Sequence, residues 1–87
     1  MSYTPGFAPD ARSQWHALEP EIQEIALDLL EQLTLDKPPS GDYVKDALRE
    51  RGGIRGYVFV HAFVDADRRT VTAVGVGYVT RPSRPRV

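Results

Sequence analysis

The chain has no cysteine and only two histidines among its 87 residues. Without cysteine it can form neither a disulfide framework nor a thiolate metal site, and two histidines alone make a poor zinc site. No apolar run is long enough to span a bilayer, since the longest, residues 57–64, is interrupted by His61. The N-terminus also lacks a basic segment followed by an apolar one. We therefore expect a cytoplasmic protein that holds no metal or cofactor and does not enter a membrane.

A chain of this length has room for one domain with one modest hydrophobic core. We place that domain at residues 1–81. Residues 82–87 are predicted to be a separate basic tail, in which Arg84 and Arg86 alternate with prolines. Because proline cannot donate to a strand ladder, the tail is expected to be extended or disordered.

Acidic and basic residues are separated along the sequence. Residues 1–36 carry one basic residue against seven acidic ones, whereas residues 37–87 carry ten basic residues against five acidic ones. The first part is predicted to be helical and the second to be sheet and tail, so one face of the domain should attract polyanions while the other repels them. This separation points to nucleic acid or an acidic peptide as a partner.

The N-terminal part is typical of a short strand followed by two helices. Residues 2–7 have aromatic residues near both ends, with a proline and a glycine between them, which favours a short edge strand. A first helix over residues 10–18 would turn Trp15 toward the core. A second helix over residues 20–35 has an apolar stripe opposite an acidic one, and Pro20 suits its first position.

The C-terminal part is predicted to be a β-hairpin. Residues 54–64 and 70–80 are rich in β-branched and aromatic residues, and residues 65–69 form the turn between them. Residues 43–50, which precede the hairpin, are ambiguous between a helical turn and a strand.

Alternation divides the first hairpin strand into an aliphatic face, which should pack on the helices, and a mixed face that must stay partly open. The mixed face carries Arg55, Tyr57, Phe59, His61 and Phe63. In a regular hairpin, this face is completed from the second strand by Thr72, Tyr78 and Thr80. A bulged turn would instead bring in Ala73, Gly75, Gly77, Val79 and Arg81. The two glycines are expected to relieve crowding under an aromatic neighbour, since no helix or lysine follows them as in a phosphate loop.

The mixed face offers chemistry suited to RNA. Arg55 could neutralise a phosphate, Tyr57 could stack on a base, and His61 could move a proton. Each of these side chains also has a structural explanation in cross-strand packing, so the pattern alone leaves both interpretations open.

The order of elements is a short strand at residues 3–7, a helical hairpin that ends at Leu33, a proline pair, the segment 48–53, and then antiparallel strands with a basic end. This order resembles the RelE/ParE superfamily of toxins from type II toxin–antitoxin systems. The resemblance spans about residues 2–80 and rests on pattern and order, not on an invariant motif. It implies an α+β fold in which a two-helix hairpin packs on a small antiparallel β-sheet.

The resemblance also implies a function as a toxin that a cognate antitoxin neutralises. RelE-like members cut mRNA in the ribosomal A site by promoting attack of the ribose 2′-hydroxyl on the adjacent phosphate. ParE-like members inhibit DNA gyrase and need no catalytic set. A third hypothesis is a catalytically silent member that works mainly as a complex with its antitoxin.

The ribonuclease hypothesis assigns roles to particular residues. Arg55 and Arg81 would stabilise phosphate charge, and His61 or Tyr78 would serve as acid or base. The nucleic-acid-binding candidates are Arg51, Tyr57, Arg84 and Arg86. The chain departs from the family at Phe59, where family ribonucleases commonly have an arginine. It also departs at the end of the last strand, where they usually have a basic residue or histidine and residues 78–80 here are Tyr, Val and Thr.

Overall fold

The computed structural model describes residues 2–82 of the chain. The elements follow in the order β1 (Thr4–Phe7), α1 (Pro9–His16), α2 (Pro20–Asp36), β2 (Gly41–Arg51), β3 (Ile54–Asp65) and β4 (Thr70–Pro82). The strands form one sheet in the order β1-β4-β3-β2, with both helices on one face. The predicted α+β class is confirmed. β3 and β4 form the antiparallel hairpin that the sequence predicts, and β2 pairs with β3 in antiparallel as well. β1 pairs with β4 in parallel and makes the sheet mixed.

The last residue of β4 overlaps the tail that the sequence predicts. The strand continues through Pro82 and so includes the first residue of the segment that the sequence separates at 82–87. Residues 83–87, with Arg84 and Arg86, lie outside the described residues, and their predicted roles stay predictions.

Pro20 begins α2, as the sequence predicts. Its fixed φ suits the first helical turn, where its missing N–H has no partner to lose. Trp15 and Gln23 then join the two helices through reciprocal hydrogen bonds. The Trp15 indole N–H donates to the Gln23 carbonyl at 3.1 Å, and the Gln23 side-chain amide donates to the Trp15 carbonyl at 3.0 Å. The Trp15 ring centroid also lies 5.8 Å from that of Phe7, so this residue anchors β1, α1 and α2 together.

The hydrophobic core lies between α2 and the two central strands. The even-numbered residues of β3 from Val58 to Val64 are buried, as the alternation predicts. β4 adds Val71, Ala73 and Val76, and α2 adds Ile22, Ala26, Leu29, Leu30 and Leu33. Because full burial of a large aliphatic side chain contributes about 1.5–3 kcal/mol, this layer supplies most of the driving force for folding.

β2 is a long edge strand in the segment that the sequence leaves ambiguous. Its side chains alternate between the two faces, and Lys45 and Arg49 point toward α2. The Lys45 Nζ lies 3.0 Å from an Asp36 carboxylate oxygen, and an Arg49 guanidinium nitrogen lies 2.7 Å from a Glu21 oxygen. Part of the positive charge of the C-terminal half therefore neutralises the acidic helix. The expectation that the sheet and helices form separate basic and acidic surfaces is wrong for this strand.

A bulge within β4 decides which of its residues face away from the helices. The β3–β4 pairing shifts between His61 and Ala62, whose partners are Gly75 and Ala73, so Val74 is the extra residue. Of the two sets that the sequence leaves open, the described residues after the bulge follow the second, so Gly75, Gly77 and Val79 face away from the helices. Ala73 is buried on the helix side, because the bulge lies inside the strand and not at the turn.

Candidate functional site

The sheet surface that points away from the helices, called here the open face, is both apolar and acidic. Four of its large apolar side chains are exposed by 45–66%, namely Phe63, Val79, Leu48 and Val44 in increasing order. β2 contributes three carboxylates to the same face, from Asp42, Asp46 and Glu50. Several large apolar side chains exposed on one face of a sheet indicate a binding surface.

One end of the open face brings several predicted site residues together. Arg55 lies opposite Arg81 in the β3–β4 register and opposite Glu50 in the β2–β3 register. The Arg55 Nε donates a hydrogen bond to a Glu50 carboxylate oxygen at 3.1 Å, and Tyr57 also interacts with Arg55. Arg51 ends β2 at the same end of the sheet. Arg55, Tyr57 and Glu50, together with the position of Arg81 opposite Arg55, are called the Arg55 end.

Arg55 is a permanent cation at this site. Its hydrogen bond with the Glu50 carboxylate, and then that with Tyr57, raises the pKa of the guanidinium above its ordinary value. Both partners of the ion pair are about half exposed, so water screens their attraction. A phosphate group, which arginine can bind through two parallel hydrogen bonds, could therefore replace the carboxylate beside Arg55.

His61 lies apart from the Arg55 end. Six positions separate His61 from Arg55 along β3, which corresponds to about 20 Å in a strand. The His61 Nε2 is 3.5 Å from an Asp42 carboxylate oxygen. The ribonuclease hypothesis places His61 and Arg55 at one phosphate. In the structure the two side chains are too far apart for that.

Tyr78 lies on the helix side of the sheet. It pairs with Val58, packs against the core, and places its ring over Gly56. Because successive residues of a strand point to opposite faces, the sheet separates this phenol from Arg55 and His61. The predicted position of Tyr78 on the mixed face, and that of Thr80, is wrong because the bulge shifts the register. Thr72 precedes the bulge and shares the open face with Phe63, as predicted.

Phe59 occupies the centre of the open face. Its ring lies over Gly77, in the space where a Cβ would stand. For Gly77, the prediction that a glycine relieves crowding under an aromatic side chain is confirmed. At Gly75 a Cβ would meet the His61 Cβ at 3.7 Å and the Gln14 Oε1 at 4.0 Å, which are ordinary contacts. An apolar ring thus stands where the resemblance expects the arginine of family ribonucleases.

Sequence reasoning missed the carboxylates of β2. The period-two pattern of Asp42, Val44, Asp46, Leu48 and Glu50 is visible in the sequence. The residues between them include Lys45 and Arg49, so both faces of the strand carry charge and neither reads as the buried one. The two faces can be told apart only in the structure, where Lys45 and Arg49 pair with carboxylates of α2.

Elsewhere in the described part of the chain, a groove of about 420 Å³ lies between β1 and α2. Phe7, Leu27 and Leu30 line it, and Leu27 is partly exposed there. Within residues 2–82, no group of three or more histidine or acidic residues could hold a metal ion. Neither described helix is long and apolar enough to cross a membrane.

Compared in sequence with protein-family models and with curated proteins, the chain gives no match. In structure, it is similar to a chain in the crystal structure of the archaeal RelE-RelB complex from Pyrococcus horikoshii OT3, with a TM-score of 0.55 and 13% sequence identity. The alignment covers 95% of this chain and 97% of that chain. At this identity the similarity establishes the fold, which is RelE-like over nearly the whole chain.

Proposed function

We propose that the protein is the toxin component of a type II toxin–antitoxin system, active in the cytoplasm and neutralised by a cognate antitoxin. The observation that carries the proposal is the RelE-like fold, which extends over 95% of the chain. The exposed apolar side chains of the open face support it, because a surface of this kind is commonly covered by a protein partner.

The activity that we propose is cleavage of mRNA on the ribosome at the Arg55 end. Glu50 takes a proton from the ribose 2′-hydroxyl, and the oxygen attacks the adjacent phosphorus. Arg55, with Arg81 opposite it in register, stabilises the negative charge on the phosphate while the bond to the 5′ oxygen breaks. Tyr57 supplies a proton to that leaving oxygen. The support for this assignment is that a carboxylate, a guanidinium and a phenol meet at one place on the open face.

This assignment replaces part of the set that the sequence suggests. His61 is too far along β3 to share a phosphate with Arg55, and Tyr78 faces the helices. Glu50 takes the place of His61 as the base, and Tyr57 takes the place of Tyr78 as the acid.

Induced expression in bacterial cells tests the proposal. The wild-type protein should arrest growth, and co-expression of the cognate antitoxin should restore it. Arg55→Ala and Glu50→Gln should each relieve the arrest, because each removes one chemical group from the site. Arg12→Ala, which removes an exposed arginine from α1 on the other side of the sheet, should arrest growth as the wild type does.

Two results would contradict the proposal in different ways. Arrest that persists in Arg55→Ala and Glu50→Gln, together with inhibited supercoiling by DNA gyrase, would exclude mRNA cleavage and favour a ParE-like toxin. Normal growth at a comparable level of folded wild-type protein would exclude toxicity and favour a catalytically silent protein that binds an antitoxin.

A further inference from the structure

We propose that the part of the open face along β2, from Asp42 to Leu48, binds a segment of a partner protein in which lysine or arginine side chains alternate with apolar ones. The β2 docking surface, as we name it, consists of Asp42, Val44, Asp46, Leu48, Phe59 and Phe63. It lies beside the Arg55 end and shares no residue with it. The inference goes beyond the proposed toxin function and does not require the chain to be toxic.

The apolar part of the β2 docking surface is exposed along an unpaired edge. Val44 and Leu48 are more than half exposed, and Phe63 is nearly so. β2 is 11 residues long, contains no proline, and is the last strand of the sheet formed by the described residues. A long edge offers its unpaired N–H and C=O groups to another chain, and the charged side chains along it exclude partners of like charge. An extended segment laid along β2 would cover both its edge and its apolar side chains.

The carboxylates of the surface decide the charge of that segment. Asp46 makes no ion pair with any side chain that the structure describes. Among the described side chains, the ion-pair partner of Asp42 is His61, at 3.5 Å, and the Asp42 side chain is 70% exposed. Oppositely charged residues that face each other on neighbouring strands attract, whereas like charges repel. A segment with basic residues opposite Asp42 and Asp46, and apolar residues opposite Val44 and Leu48, therefore matches the surface position by position.

Two other occupants fit less well. The phosphates of a nucleic acid would meet Asp42 and Asp46, which repel them. In a second copy of this chain, β2 has no basic residue at positions 42, 44, 46, 48 or 50. Antiparallel pairing of two copies would therefore set carboxylates against carboxylates or against apolar side chains. The basic residues Lys45 and Arg49 point to the other face and already pair with α2.

The test uses the purified full chain and two fluorescent synthetic peptides of equal length. One peptide alternates lysine with valine, and the other alternates glutamate with valine. Fluorescence anisotropy should show saturable binding of the lysine peptide only, weakening as salt is raised. The double variant Asp42→Asn with Asp46→Asn should bind the lysine peptide about fivefold more weakly, as expected for the loss of two exposed charge pairs.

A matched control separates a local effect from a change in net charge. Glu24→Gln with Asp28→Asn removes the same charge from exposed positions of α2 and should leave peptide binding unchanged. Val44→Ser with Leu48→Ser should also weaken binding, in protein that circular dichroism shows to be folded, because it removes the apolar contacts.

Several outcomes would overturn the inference. These are equal affinity for the two peptides, no saturable binding of the lysine peptide, or equal weakening in the α2 control and the β2 variant. Binding of a single-stranded RNA that Val44→Ser with Leu48→Ser weakens would assign the surface to nucleic acid instead. Because no step measures growth or mRNA cleavage, a failure here is distinct from a failure of the toxin proposal.

Discussion

Two aromatic rings lie over glycines of the sheet, one on each face. Tyr78 covers Gly56 on the helix side, and Phe59 covers Gly77 on the open face. A glycine weakens a strand because it has no side chain to pack, but a ring from the neighbouring strand fills that space. Any side chain at these positions would compete with the ring for the same volume.

The substitution Gly77→Ala should therefore destabilise the protein. The added methyl group meets the Phe59 ring, and such overpacking lowers the free energy of unfolding by about 1–3 kcal/mol. Urea unfolding measures the change. Gly75→Ala, two positions earlier in the same strand, meets only ordinary contacts and should stay within about 0.5 kcal/mol of the wild type. Equal effects at the two glycines would contradict this explanation, and Phe59→Ala should remove the difference between them.

The sequence identifies some site residues and misses others for definite reasons. Arg55 could be predicted because a charge in so apolar a strand requires an open face or a partner. Tyr78 could not be placed, because a single extra residue, Val74, reverses every side chain that follows it. Glu50 was missed because the role that we propose for it depends on its position opposite Arg55, across a strand pair that the sequence did not predict.

Among the elements, α1 and β4 together hold the bulge in place. The Gln14 side chain of α1 accepts a hydrogen bond from the Val76 N–H through its Oε1, at 2.9 Å. Val76 is only 5% exposed, so water is a poor substitute for this acceptor. A surface glutamine thus helps to fix the register that brings Gly75, Gly77 and Val79 to the open face.

Replacement of this acceptor by Gln14→Ala should lower the free energy of unfolding by about 1–3 kcal/mol, because a buried backbone N–H loses its partner. It should also speed hydrogen exchange at the Val76 amide. Ser13→Ala, an exposed position in the same helix, is the control and should change neither quantity appreciably. Unchanged exchange at Val76 in Gln14→Ala would show that the bulge is held by other contacts.

The helices could be predicted more closely than β2. The bounds of α2 follow from its apolar stripe and from Pro20, which are local signals. β2 carries charge on both faces, and only its contact with α2 shows which charged side chains face the helix. The parallel pairing of β1 also depends on a long-range contact, with β4 at the far end of the chain.

At the scale of the molecule, and for the side chains that the structure describes, the separation of charge along the sequence does not become a separation of surfaces. Lys45 and Arg49 neutralise carboxylates of α2, and Arg55 is paired with Glu50. The open face that results has an arginine-containing end, and the rest of it along β2 is apolar and acidic. We infer that these two parts serve different partners, mRNA at the Arg55 end and a basic protein segment along β2.

Primer extension on a defined mRNA in a purified translation reaction tests the proposed activity most directly. With the wild-type protein, we expect cuts within codons that occupy the ribosome. The cuts should persist with Arg12→Ala and disappear with Arg55→Ala and with Glu50→Gln. An intact message that continues to be translated in the presence of folded wild-type protein would contradict the account.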